Sequence, residues 1–273
     1  MKYVASLLAI SVFCSAAGAQ TAHTTHPQDG GVTVAANTRD GGVDETLQSI
    51  YIPPLVNAPF TALVHTEWTR PLPDGGSYTF VNLRQVARDG RGRIYEERWL
   101  LVPKGSEDES RMNVIQIADP NAHTLYNCFT LQIPHRCILQ TFAEPAVTAY
   151  KPNVFKSGPL PNNAGSLTHE DLGTRTIAGI ETLGTRDTTN YNAGVMGSDA
   201  PFAAWREFWQ SPQLGVNLYS EVGGPRVGKQ LFTLTDLTLA EPDPKLFELP
   251  EGYTVVDRRK PAAEHPELPE RVQ

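Results

Sequence analysis

The chain has 273 residues, 40% of them hydrophobic, and its 30 acidic against 23 basic side chains give a net charge of −7. That balance excludes nucleic acid and anionic membrane surfaces as main partners, because both require a concentrated basic face. The length suits one large β domain or two small ones and is enough to bury a sizeable core.

Residues 1–19 read as a secretory signal peptide, with Lys2, an apolar run over 4–13 and Ala17-Gly18-Ala19 ahead of Gln20. The run is shorter than the about 20 residues a membrane span needs, and no later stretch approaches that length, so no membrane span is expected. Cys14 follows Ser11-Val12-Phe13 and lacks the small residue that precedes a lipidated cysteine. The expected location is periplasmic or secreted. Lys2 is the only charged residue among 1–19, so the remainder carries 22 basic against 30 acidic side chains. Two cysteines are left, Cys128 and Cys137. In an exported chain their spacing fits a disulfide across a hairpin, whereas a metal would need more ligands than His135 beside them.

Residues 20–43 are rich in Thr, Asn, His and Gly and read as a disordered leader, in which Asp-Gly-Gly-Val occurs twice. A short helix is expected over 44–51, with Asp44 as N-cap and Pro53-Pro54 as stop. Strands follow. Phe60, Ala62, Val64, Thr66 and Trp68 alternate with Thr61, His65, Glu67 and Thr69, the period-2 pattern of a half-buried strand. Pro73-Asp74-Gly75-Gly76 and Asp89-Gly90-Arg91-Gly92 then turn the chain into strands over 77–86 and 93–102, a three-stranded meander. Further strands are expected over 112–118, 123–128 and 137–141, the last two on either side of the cysteine pair. Residues 142–165 contain Pro145, Pro152, Pro159 and Pro161, which exclude helix interior and central strand. This segment is either a crossover linker or a lid, with Tyr150 and Phe155 as its anchors.

Strand signals resume over 170–173, 175–180 and 181–188. Residues 204–210 and 216–222 form a hairpin about Ser211-Pro212-Gln213-Leu214-Gly215, where Pro presets one dihedral and Gly accepts a positive one. A Thr- and Leu-rich strand over 229–240 comes next, and Pro242, Pro244, Leu246, Phe247 and Pro250 carry the chain back across the sheet. Residues 257–273 read as a disordered tail, leaving 44–256 as a single domain. Within the hairpin, alternation places Trp205 and Trp209 on one face and Phe208 on the other.

No catalytic, metal-binding or cofactor-binding constellation is legible. Ser166, His169 and Asp171 are close in sequence without a nucleophile elbow, His169-Glu170 lacks the second histidine of a zinc helix, and Gly90 and Gly92 are turn glycines. His65 and Glu67 share a strand face that reads as solvated.

Several segments of the last third resemble one family. These are Gly184-Thr185-Arg186, the run from Ala204 through Trp205, Phe208 and Trp209 to Pro212, then Tyr219-Ser220-Glu221, and a closing Asp243-Pro244-Lys245-Leu246-Phe247-Glu248-Leu249-Pro250-Glu251-Gly252-Tyr253. Together they look like the C-terminal half of the bacterial outer-membrane lipoprotein carrier superfamily. Residues 50–256 also resemble a group of secreted bacterial proteins that share Asn57-Ala58-Pro59-Phe60, the Asp119-Pro120 turn and the hairpin cysteines. The resemblance implies a mainly β fold, a strongly curved antiparallel sheet forming an open half-barrel with few helices. It also implies an exported, non-catalytic protein of the cell envelope that binds a lipid, a lipoprotein or another apolar ligand. The residues expected to line its hollow are Trp68, Phe80, Trp99, Tyr150, Phe155, Trp205 and Trp209. The alternative is a structural or interaction module that meets another envelope protein.

Overall fold

The computed structural model describes residues 32–34, 45–47, 50–152 and 154–259. Residues 1–19, expected to be a signal peptide, and most of those expected to be leader and tail lie outside the described residues. Within the leader's neighbourhood, β1 (Val32–Val34) pairs antiparallel with β2 (Glu45–Leu47). The helix expected from Asp44 onward is therefore corrected to strand at Glu45–Leu47. A window of only eight residues ahead of two prolines is too short to repay helix nucleation.

The remaining strands are β3 (Phe60–Pro71), β4 (Ser77–Arg88), β5 (Ile94–Trp99), β6 (Val102–Pro103), β7 (Met112–Asp119), β8 (Thr124–Phe129) and β9 (Arg136–Thr141) in the first half. They continue with β10 (Gly158–Pro159), β11 (Gly165–Ile177), β12 (Ile180–Tyr191), β13 (Phe202–Gln210), β14 (Asn217–Gly224), β15 (Gly228–Thr238) and β16 (Thr254–Asp257). All fourteen join one strongly curved sheet that does not close into a barrel, in the order β10-β11-β12-β13-β14-β15-β3-β4-β5-β7-β8-β9-β16, with β6 beside β4. Every pairing in it is antiparallel except that of β16 with β9. Among the described residues the helical content is three short 3-10 turns, Pro161–Asn163, Val195–Gly197 and Pro244–Phe247. No helix among the described residues is long and apolar enough to cross a membrane.

Two meanders run outward from a central seam where β15 pairs with β3. Phe232 lies opposite Thr66 and Leu234 opposite Val64, so the apolar positions of two distant segments fall on one face. Phe60, Ala62, Val64, Val86, Leu218, Phe232 and Leu234 pack there with Ile50, Ile52, Leu214 and Val216 as the main core. We call this the core face and its opposite the back face.

One end of the core face is closed by residues 50–58, by the hairpin at 211–216 and by the chain near Val147, which bridges Leu55. Arg88 binds these pieces together. Its guanidinium donates to the carbonyl oxygens of Ala58, Pro53 and Leu214 at 2.7–3.0 Å while lying over the Phe60 ring. The terminal segment crosses the back face instead. There Phe247 packs with Ala87, Tyr95 and Ile117, under the Arg93 guanidinium at 4.5 Å. Beyond it β16 extends the sheet beside β9, whose Cys137 is disulfide-bonded to Cys128 directly opposite in β8, as expected.

The boundary between β11 and β12 differs from the sequence expectation. A single long strand carries a bulge between Asp171 and Gly173, and the turn falls at Ala178-Gly179, where φ is +48° and +79°. Two positive dihedrals define a type I′ turn, but alanine is not among the residues that announce one.

Candidate functional site

Antiparallel register carries a side-chain row straight across strands, since directly opposed residues share a face. On the core face one such row runs Arg206, Val222, Gln230, Trp68, Phe80 over β13, β14, β15, β3 and β4. The next row toward the closed end runs Phe208, Ser220, Phe232, Thr66, Asn82. Phe232, Thr66, Ser220 and Asn82 are buried, whereas Val222, Trp68 and Phe80 in the row above are only half-buried. The core face thus passes from filled core to a shallow strip in which Val222, Trp68 and Phe80 are half-buried around the fully buried Gln230. Trp68 is fixed by its indole N–H donating to the Val227 carbonyl at 2.6 Å and by Arg70 stacked at 5.3 Å, and Phe80 meets Tyr78 edge-on.

Polar groups bound the strip on both sides. Beyond Phe80 the core face becomes a ladder: Arg98 donates to Gln116, Gln116 to Asn127 and Asn127 to Gln140 at 2.6–2.9 Å, with Glu96 paired to Arg98. Burial, and secondarily the charge of Arg98, push the neighbouring Arg84 guanidinium down to about 9. At the other end, Asp187 on β12 is only 6% exposed and is shared by two partners. Its Oδ1 lies 2.6 Å from Nδ1 of His169 on β11, and its Oδ2 accepts from Arg206 Nε at 3.1 Å. The Phe155 ring covers the face of the Arg206 guanidinium at 4.0 Å. Ser157, two residues on, accepts the His169 backbone N–H at 2.8 Å and so pins the proline-rich segment to this corner.

The seven expected lining residues divide. Trp68, Phe80 and Phe155 come to the core face. Trp205 and Trp209 do share a face, but it is the back face, aligned through Gly223 and Lys229 with Thr69 and through Tyr219 with Thr233 and His65. Their rings lie flat over glycines: a Cβ on Gly223 would come 2.1 Å from Trp205, and one on Gly184 2.6 Å from Trp209. Trp209 also donates to Glu207 at 2.6 Å and carries Arg175 at 3.9 Å. Trp99 donates to Glu97 and shares that residue's back-face position. Tyr150 stands at the closed end, beside Gly215 and 5.9 Å from Tyr51.

The carboxylates of the back face are strongly held. Burial alone would raise the Glu207 carboxyl, but the Trp209 N–H and the Arg186 guanidinium outweigh it and keep it below the usual range. Glu67 is engaged by Lys104 at 2.9 Å, with His65 at 4.0 Å. Ser166 points away from His169 by alternation, and His169 instead partners Asp187. The sequence brings His169 to notice only beside Ser166 and Asp171, not with Asp187 or Arg206, which it does not mark as site residues. The only sign was Arg206 standing with Phe208 opposite the two tryptophans.

No protein-family model and no curated protein sequence matches the chain. Solved structures similar to it include the lipoprotein LppX of Mycobacterium tuberculosis, at 11% identity and TM-score 0.27, covering 67% of this chain and 88% of that one. A LolA superfamily protein of Nitrosomonas europaea matches at 10% identity and TM-score 0.29, over 71% and 91% of the two chains. LprF of Mycobacterium bovis matches at 13% identity and TM-score 0.25, over 67% and 89%. No residue role is transferred from these likenesses.

Proposed function

We propose that this chain is an exported, non-catalytic binding protein of the cell envelope that takes a lipid, the acyl part of a lipoprotein or another apolar ligand on its core face. The observation that supports this is the half-buried strip of Val222, Trp68 and Phe80, with Phe155 above Arg206, lying between a filled core and the open end of an unclosed sheet. Aromatic side chains bury 150–250 Å² each, so covering the open half of one such ring is worth about 2 kcal/mol. Two rings aligned across adjacent strands give a ligand several kcal/mol before the cost of ordering it.

Native mass spectrometry of the exported protein, followed by solvent extraction, tests the reading. A co-purified acyl species at defined stoichiometry is expected. Trp68→Ala and Phe80→Ala should each weaken uptake of that species about tenfold, while Trp205→Ala on the back face leaves it unchanged. A clean apo mass and no uptake of a fluorescent fatty acid would remove the proposal.

A second reading, an interaction module for another envelope protein, is favoured by one feature. Ile133 is 92% exposed at the tip of the loop closed by Cys128 and Cys137, with Leu131 beside it also exposed. Ile133→Ser would abolish capture of a specific envelope partner and leave acyl binding intact.

A further inference from the structure

Resting on the core-face reading above, we propose that the apolar ligand is an anionic amphiphile whose headgroup, a carboxylate or a phosphate monoester, is bound by Arg206 at one end of the strip. The row from Arg206 through Val222, Gln230 and Trp68 to Phe80 crosses four strand spacings, about 19 Å. The hydrocarbon of a single bilayer leaflet is about 15 Å deep, half of the membrane core. A headgroup at Arg206 therefore lets one acyl chain lie along the row and end against Phe80.

Arg206 is built for that task. Nε is occupied by Asp187, the flat face is covered by Phe155, and no hydrogen bond within the described residues takes either terminal amino group. The edge left open is the forked edge that matches carboxylate and phosphate oxygens. The side chain is 29% exposed, so a bound anion would be partly withdrawn from water, which strengthens the pair. Asp187 fixes the guanidinium and is itself fixed by His169, whose backbone is held by Ser157. The arrangement is thus set before a ligand arrives.

The test is displacement of a neutral apolar dye, N-phenylnaphthylamine, by palmitate, hexadecanol and hexadecyl phosphate, with the full chain. In the unsubstituted protein palmitate should displace the dye at about tenfold lower concentration than hexadecanol, the worth of one charge-assisted pair. Arg206→Gln should bring the two within about twofold without changing hexadecanol. Because that variant leaves Asp187 with His169 alone, an Asp187→Asn/Arg206→Gln double variant is measured beside it and should show the same loss. Hexadecyl phosphate matching palmitate extends the proposal to phosphate; matching hexadecanol narrows it to carboxylate. Equal displacement by palmitate and hexadecanol, unaltered in either variant, overturns the headgroup assignment and leaves apolar binding standing. A dye that never binds, with none of the three amphiphiles taken up, overturns both.

Discussion

Replacing Arg88 by methionine is the sharpest test of how the closed end of the sheet is held. Arg88 is wholly buried and pairs with no carboxylate among the described residues; its four hydrogen bonds all go to main-chain oxygens of Ala58, Pro53 and Leu214. Burial pushes its pKa down to about 10, so it is still charged at neutral pH. Methionine fills similar space but donates nothing. Pro53 keeps a second donor in the Leu55 N–H, whereas the oxygens of Ala58 and Leu214 lose theirs. Two orphaned carbonyls at about 1–3 kcal/mol each, offset in part by no longer burying a charge, give a net loss of about 2–4 kcal/mol. For a domain of this size that lowers Tm by about 5–15 °C. Urea denaturation followed by tryptophan fluorescence, with calorimetry alongside, measures it. Arg88→Lys should recover part of the loss, since one ammonium cannot span three carbonyls. A methionine variant within about 0.5 kcal/mol of the parent, or more stable, would refute the reasoning and show that the desolvation penalty had cancelled the cage.

Other outcomes follow from the same structure. Removing the Cys128–Cys137 bond by double alanine substitution should cost about 3 kcal/mol, the entropy of a loop this short, and free the β9–β16 edge; equal urea midpoints with and without the bond would contradict this. Gly223→Ala should displace the Trp205 ring, which an added Cβ would meet at 2.1 Å, costing about 1–3 kcal/mol and shifting tryptophan emission. The Glu207 carboxyl is held below its ordinary value in the fold, so its contribution is present above its unfolded pKa and is lost as pH falls through the folded one. Stability should therefore decline below about pH 4.5, and Glu207→Gln should flatten that decline in acid titrations followed by circular dichroism.

Much of this fold is written locally. The alternation of Phe60, Ala62, Val64, Thr66 and Trp68 against His65 and Glu67 specifies β3 and its buried face, because a strand's side-chain period is two whatever its neighbours are. Turn chemistry at Asp89-Gly90-Arg91-Gly92 and at 211–215 places the hairpins, and the cysteine spacing yields the disulfide. Where residues departed from turn statistics, as at Ala178-Gly179, the boundary was not legible. The candidate site was legible only in part, for a physical reason. Alternation shows that Trp205 and Trp209 share a face, but which face carries the core depends on β15 pairing with β3, across more than 150 residues of chain. That pairing sends both tryptophans to the back and aligns Arg206 with Trp68 and Phe80. The contacts of Asp187 with His169 and Arg206, drawn from three strands, exist only once register is set. Sequence by itself determined strands, turns and the covalent staple, which are short-range. Tertiary structure decided which side chains meet, because register across a sheet is a property of all its strands at once.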